Sequence, residues 1–382
     1  MLIGIDALAI GFSGGRTFLR NLLSHIGRID NTNRYLVFVS SRNLFLMSAL
    51  PSNFEVWNVD SVPSRRWSRA LWEQFKLPLI LRKASVDLVI TLGSVDLFAY
   101  SMPGLPTIVV IQLNQNWMVP YMLSSRLRNW YLNAGVRLSC STASKIVVMS
   151  NTAKRELIET FGVRPDKVQV LYYGLDSSLF KPQAVNRETH AELSTYGVRE
   201  PYILSISSVT RYKNHLNLIK AYARLKADHR IPHQLVIVGA IDQSAYYQEL
   251  IGYVESEDLT ADVIITDFIP HEYLPALYSN AALYVFPSLC ETFGMTQIEA
   301  MACGIPVITS NVSVMPEICG DAAVYFDPYD PDSIVEAIST VLQNEELQKE
   351  LSISGLERAK LFSWEKNAVR MLQIVEAVAG ES

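Results

Sequence analysis

Two carboxylates, Glu291 and Glu299, stand on either side of a Thr292-Phe293-Gly294 turn within PSLCETFGMTQIEAMACGIPVITSN, which begins at Pro287. The preceding LYVFP reads as a buried strand ending at a proline. After the turn comes a helix that Gly304 and Pro306 end, and PVITS then starts another strand. A strand, a tight turn and a helix leave unpaired backbone N–H groups at the helix start, which attract anions. The N–H groups of Phe293, Gly294, Met295 and Thr296 are placed to cradle a diphosphate. Glu299, one turn into the helix, can accept two hydrogen bonds from a ribose diol, and Glu291, before the turn, can face a sugar ring. Singly, each glutamate also fits a solvated or helix-pairing role. Together with the anion site they suit a sugar nucleotide.

A second group lies in SISSVTRYKNHLNLIKAY, where the strand Tyr202–Ser207 leads through a short turn into an amphipathic helix starting near Asn214. Lys213 and Arg211 sit in that turn, where charge-assisted N–H···O⁻ bonds hold a diphosphate leaving group. Arg211 has two readings, a phosphate clamp or a solvated loop arginine. Gly14 and Gly15 close GFSGG, between the first strand and a helix starting near Thr17, and let backbone approach a ligand. A purely structural turn fits them nearly as well. Their spacing is not the GxGxxG of a dinucleotide fingerprint, and no acidic residue ends a second strand. Beyond the strand at Thr107, Gln112, Asn114 and Asn116 offer amides that hydrogen-bond a sugar hydroxyl but do not usefully take its proton. Asp330-Pro331-Asp332 has a DxD pattern, yet it stands before an amphipathic helix, where Asp is a good cap. The six histidines show no ligand spacing. No metal site is expected.

These groups need a scaffold. A chain of 382 residues exceeds one ordinary core, and 49% apolar with 19% charged residues suits buried sheets. Strand candidates run through both halves. In the first they are Leu2–Ile5, Tyr35–Val39, Phe54–Val59, Asp87–Thr91, Thr107–Gln112, Lys145–Met149 and Val168–Tyr172. In the second they are Tyr202–Ser207, Gln234–Val238, Val263–Thr266, Leu283–Phe286, Val307–Thr309 and Ala323–Phe326. Helical patterns alternate with them, such as Phe18, Leu19, Leu22, Leu23 and Ile26 on one face. Continuously apolar strands alternating with helices predict two doubly wound α/β domains with parallel sheets. Residues 1–180 carry 19 Lys and Arg against 11 Asp and Glu, whereas the rest carry 14 against 27, so the two domains face different partners. The boundary is expected within Leu175–Val198.

The motif at Pro287, continued through VSVMPEICGDAAVYFDPYDPDSI, resembles the signature of glycosyltransferase family 4, retaining group 1 enzymes of the GT-B fold. The resemblance implies two Rossmann-like domains facing a cleft. These are an acceptor-binding domain over 1–180, a nucleotide-sugar-binding domain over 181–360, and a helix over 361–382 crossing back to the first. It assigns Glu291 to the donor sugar, Glu299 to the ribose, Lys213 and Arg211 to the diphosphate, and the loop of Gly14 and Gly15 to the donor side. Gln112 and Asn114 then lie on the acceptor and sugar side. Two departures stand out. The arginine many members carry five residues before the lysine is Ser208 here, and no histidine follows the strand at Thr107.

The implied activity is transfer of a hexose, of mannose or deoxyhexose type, from a nucleoside diphosphate sugar to a sugar or lipid-linked oligosaccharide. Bacterial surface polysaccharide or lipopolysaccharide assembly is the implied setting. No cofactor is needed, since the nucleotide sugar is a substrate. A silent sugar-nucleotide-binding partner subunit and a nucleotide-sugar epimerase are the rivals. Ser64–Trp72 mixes arginines with Trp67 and Trp72, and Trp117, Met118, Tyr121 and Met122 form a second amphipathic patch. Both suit peripheral contact with an anionic membrane, or else core packing beside solvated arginines. Nucleic acid is not expected of an acidic chain without a binding module. MLIGIDALAI reads as a strand rather than a signal peptide, and four cysteines without paired spacing suit the cytoplasm.

Overall fold

A computed structural model of the chain describes residues 1–8, 10, 14–41, 44, 50–59, 68, 72, 75–92, 104–112, 126–184, 187–228 and 231–381. The chain divides into two compact units, Met1–Gly174 with Ser363–Ser382, and Leu175–Phe362.

The first unit holds a parallel sheet of seven strands: β1 Leu2–Asp6, β2 Arg34–Val39, β3 Phe54–Asn58, β4 Leu88–Thr91, β5 Thr107–Ile111, β6 Lys145–Val148 and β7 Val168–Val170. Their order is β3-β2-β1-β4-β5-β6-β7. Strands such as TIVVI are buried at every position because helices cover both faces of the sheet. The helix Gly14–Ile29 buries the expected Phe18, Leu19, Leu22, Leu23 and Ile26. It opens at Gly14, three residues before Thr17, and takes both glycines into its first turn. The C-terminal helix Trp364–Gly380 joins this unit through Trp364, whose ring lies 5.9 Å from Phe18 and 6.1 Å from Tyr173. Gly174 is needed there, since any side chain would collide with Trp364.

The second unit holds a parallel sheet of six strands: β8 Tyr202–Ile206, β9 Gln234–Val238, β10 Val263–Thr266, β11 Leu283–Phe286, β12 Val307–Ser310 and β13 Val324–Phe326. Their order is β10-β9-β8-β11-β12-β13. The helix His215–Ala227 packs Leu218, Ile219 and Tyr222 against Ile203, Leu235 and Leu283 in its core. Asp330 caps the helix Pro331–Leu342 through the Asp332 N–H at 2.9 Å, and Asp332 itself pairs with Arg224. The DxD carboxylates therefore serve the helix start and an ion pair.

In each sheet the strand order reverses once, between β1 and β4 and between β8 and β11. Loops leaving the carboxyl ends of such strand pairs diverge and open a crevice where ligands of doubly wound sheets bind. In the second unit the loop after β8 carries Arg211–Lys213, and the loop after β11 carries Ser288–Gly294.

Candidate functional site

The loop after β8 forms one turn of 3-10 helix, Arg211–Lys213, and Asn214 then adopts a left-handed conformation at φ 61° before the next helix. The Asn214 amide donates to Pro287 O at 3.1 Å and Pro328 O at 2.7 Å. One buried asparagine thus ties the basic turn to the loops after β11 and β13. The Leu289 N–H completes the tie by donating to Tyr212 O at 2.8 Å. Lys213 and Glu291, distant in sequence, meet as a result.

The Lys213 ammonium donates to Glu291 Oε1 at 2.5 Å, with side-chain exposures of only 11% and 8%. Its nitrogen also lies 5.2 Å from the Tyr212 ring centre and 5.3 Å from that of Phe286. Burial works against its charge, but Glu291 and Tyr212 outweigh burial and hold the ammonium above its usual pKa. Glu291 is fixed further by Ser288, whose hydroxyl donates to the same oxygen at 2.6 Å. Its backbone N–H donates to Ser313 Oγ at 3.2 Å. Beneath the pair, the fully buried His215 meets Ser207 Oγ through Nε2 at 3.0 Å, and burial, then Lys213, pushes its pKa down to about 3. A neutral His215 keeps the floor of the site uncharged.

Arg211 goes elsewhere. Its guanidinium is 61% exposed, pairs with Glu249 at 2.5 Å and lies 5.1 Å from the Tyr246 ring centre. Of the two cations in the turn, the structure brings only Lys213 to Glu291.

The helix Met295–Ala302 starts behind Gly294 at φ 84° and ψ 55°, with no acidic residue in its first turn. A side chain at Gly294 would strike the Gln297 amide as well as strain the backbone, so glycine is required. Gly294 at the cap position offers no side chain to the helix start, where Met295 and Thr296 stand. Thr296 accepts from the Tyr284 hydroxyl at 2.7 Å. Glu299, the fifth residue of the helix, accepts from the Tyr278 hydroxyl through Oε2 at 2.9 Å. Burial pushes the Glu299 carboxyl up to about 7 against the lowering effect of that bond. Phe293 is buried behind the turn with its ring 5.6 Å from Phe362.

In the first unit, Gly14 and Gly15 begin a helix without left-handed φ, and only Gly15 stands at a close approach, since a Cβ on Gly14 would meet nothing nearer than Tyr173 Oη at 3.8 Å. A Cβ on Gly15 would stand 3.0 Å from Gln112 Oε1, at the end of β5. Among the described residues the buried Gln112 Nε2 has no hydrogen-bond partner. Gly11, Phe12, Ser13, Asn114 and Asn116 lie outside the described residues. Tyr278, Tyr284, Ser288 and Asn214 escaped the sequence reading. Tyr278 and Tyr284 look like core aromatics in LPALYSNAALYVF, and only packing shows where their hydroxyls point.

Comparison with known proteins agrees with this arrangement. Residues 13–179 match the domain described as Glycosyltransferase Family 4, and residues 186–358 match Glycosyl transferases group 1. The chain is 30% identical to the O-antigen chain mannosyltransferase B of Escherichia coli over 62% of this chain and 61% of that relative. It is 28% identical to the serotype-specific mannosyltransferase WbdA of Escherichia coli over 65% of this chain and 30% of that longer relative. The chain therefore spans less than two thirds of either relative's length. The crystal structure of Anabaena HepE in complex with UDP and glucose matches 99% of this chain and 100% of that one, with TM-score 0.78 and 18% identity. The two matched domains cover both units in order, and the chain belongs to the family 4, group 1 glycosyltransferases of the GT-B fold.

Proposed function

We propose that this chain is a retaining hexosyltransferase that moves a mannose- or deoxyhexose-type sugar from a nucleoside diphosphate to a hydroxyl of a glycan or lipid-linked oligosaccharide. We assign it to bacterial surface polysaccharide assembly on the cytoplasmic side. The observation that carries the reading is the buried Lys213–Glu291 pair beside a helix start whose own carboxylate is Glu299. The mannosyltransferase relatives favour the sugar class, and the UDP and glucose in HepE favour a nucleotide sugar as donor.

The bond that breaks joins the sugar to the departing diphosphate, on which negative charge grows. Lys213 and the N–H groups from Phe293 to Thr296 stabilise that charge, which is the largest lever such a site has. Glu291 orients the sugar and Glu299 holds the ribose. The acceptor hydroxyl attacks on the face from which the leaving group departs, and a leaving phosphate oxygen takes its proton. No protein base or metal ion is then required, which suits the amides of Gln112 and Asn114 on the acceptor side. Arg211 contributes once its Glu249 pair is exchanged for phosphate.

Thermal unfolding against GDP-, UDP-, ADP- and dTDP-sugars tests the donor site. One nucleotide is expected to add about 2.7 kcal/mol at a hundred times its dissociation constant in wild type and nothing in Glu299→Ala. Stabilisation by none of them sinks the donor site. Tight binding without transfer points instead to a silent partner subunit, and donor isomerisation without acceptor to an epimerase.

We also propose peripheral contact with an anionic membrane through the first unit. Phe75 is 70% exposed and Leu79 57% exposed, beside exposed Lys76, Arg82 and Lys83, whereas Trp72 packs on the core. Trp67 and the arginines around it lie outside the described residues. Among the described residues no helix is long and apolar enough to cross a membrane. Replacing Phe75 and Leu79 with serine is expected to weaken sedimentation with phosphatidylglycerol vesicles about tenfold. Equal binding by wild type and variant overturns the contact.

A further inference from the structure

We infer that Tyr278 is a positioning residue for donor binding, holding one oxygen of Glu299 so that the other is presented, ionised, to the ribose hydroxyls. This rests on the donor-site reading of Glu299 above. Tyr278 lies in the last turn of the short helix Leu274–Ser279 and is completely buried. Its ring is held between Phe180 at 6.0 Å and Tyr284 at 5.7 Å, and its hydroxyl stands 2.9 Å from Glu299 Oε2. Burial, reinforced by Glu299, raises the phenol well above its usual pKa, so it remains a hydrogen-bond donor. Tyr284 is anchored to Ile206 O at 3.3 Å and to Thr296 Oγ1 at 2.7 Å. Two neighbouring phenols thus rise from beneath the helix Met295–Ala302, one at its start and one at its carboxylate.

A flexible glutamate loses rotamer freedom when it binds a ligand. Tyr278 removes part of that freedom in advance and takes up one carboxylate oxygen, leaving Oε1 for a diol. It also favours the charged form, which a diol donating two hydrogen bonds requires. Burial raises the Glu299 pKa and the Tyr278 bond lowers it, giving about 7, so loss of the bond raises it further. The titratable groups facing Glu299 are the phenols of Tyr278 and Tyr284 and the Cys303 thiol, which burial pushes up to about 12. All three are neutral near pH 7, and no cation among the described residues pairs with Glu299.

Calorimetric titration with UDP, GDP, ADP and dTDP first identifies the nucleotide that wild type binds. That nucleotide and its 2′,3′-dideoxy form are then titrated into wild type, Tyr278→Phe, Glu299→Gln and the double variant between about pH 6 and 9. Tyr278→Phe keeps the ring and its packing. One additional pKa unit on Glu299 predicts binding about fivefold weaker at pH 7, a loss that shrinks by about pH 9 to the smaller, pH-independent cost of the freed rotamer. The loss should vanish for the dideoxy nucleotide and in the Glu299→Gln background. Tyr284→Phe, which cuts the ties to Thr296 and Ile206 and leaves the Tyr278–Glu299 contact intact, should show a loss independent of pH. A Tyr278→Phe loss that is equal at every pH, or equal for the dideoxy nucleotide, overturns the proposal, as does no loss. Failure of wild type to bind any nucleotide instead removes the donor-site reading beneath it.

Discussion

Lys213→Met is expected to reduce turnover about a hundred- to a thousandfold, because one fixed donor facing the developing charge is removed from the site. The same change is expected to lower stability by about 3 kcal/mol. The methionine stem still packs between the rings of Tyr212 and Phe286, so the loss is electrostatic rather than steric. What remains is a Glu291 carboxylate at 8% exposure with Ser288 as its remaining side-chain donor. Adding Glu291→Gln removes the stranded charge while keeping an oxygen that accepts from Ser288. Lys213→Met/Glu291→Gln should therefore recover most of the stability and none of the turnover. Thermal unfolding and initial rates with the donor found above measure the two separately. A double variant as unstable as the single one refutes the stranded-charge account. Wild-type turnover in Lys213→Met refutes the role at the diphosphate.

The second large effect runs in the opposite direction. Glu299→Gln should be more stable than wild type at pH 8, by about 2 kcal/mol, and equal to it below about pH 4.5, while losing nucleotide affinity. Burial lifts the folded carboxyl from its usual 4.5 to about 7. The folded chain then holds this proton more tightly than the unfolded chain. The contribution to stability is complete below pH 4.5 and is lost as pH rises through 7, where the carboxyl ionises in place. Glutamine does not ionise, so the variant escapes that loss. A ribose diol that donates to the carboxylate repays the cost in wild type alone. Chemical unfolding at a series of pH values measures the difference, and a variant less stable than wild type at pH 8 contradicts it.

Much of the scaffold was legible because its signals are local. Thirteen apolar runs became the thirteen described strands of two parallel sheets, each within a residue or two of its expected ends. The Asp330 cap and the buried face of Gly14–Ile29 followed equally from side-chain type and spacing. Gly294 was legible as part of a tight turn, and the left-handed φ with Gln297 behind it supplies the reason. Arg211 was not decidable in the same way. Whether a loop arginine faces a phosphate or solvent depends on what stands beside it, and here that is Glu249 on a helix more than thirty residues onward.

By itself, the amino-acid sequence determined the periodicities, the turns and the order of strands and helices, since each depends on neighbours along the chain. It also marked Lys213, Glu291 and Glu299 as the residues able to handle a sugar nucleotide. Only the tertiary structure decided which of them meet. The reversal of strand order between β8 and β11 brings two loops together, and Asn214 locks them by hydrogen bonds to Pro287 and Pro328. That contact makes Lys213 and Glu291 a pair, while the packing of the helix Leu274–Ser279 on the helix Met295–Ala302 puts the phenol of Tyr278 under Glu299. Charge state follows from those placements, because burial and hydrogen-bond partners set a carboxyl's pKa, and both belong to the packed chain rather than to any stretch of it.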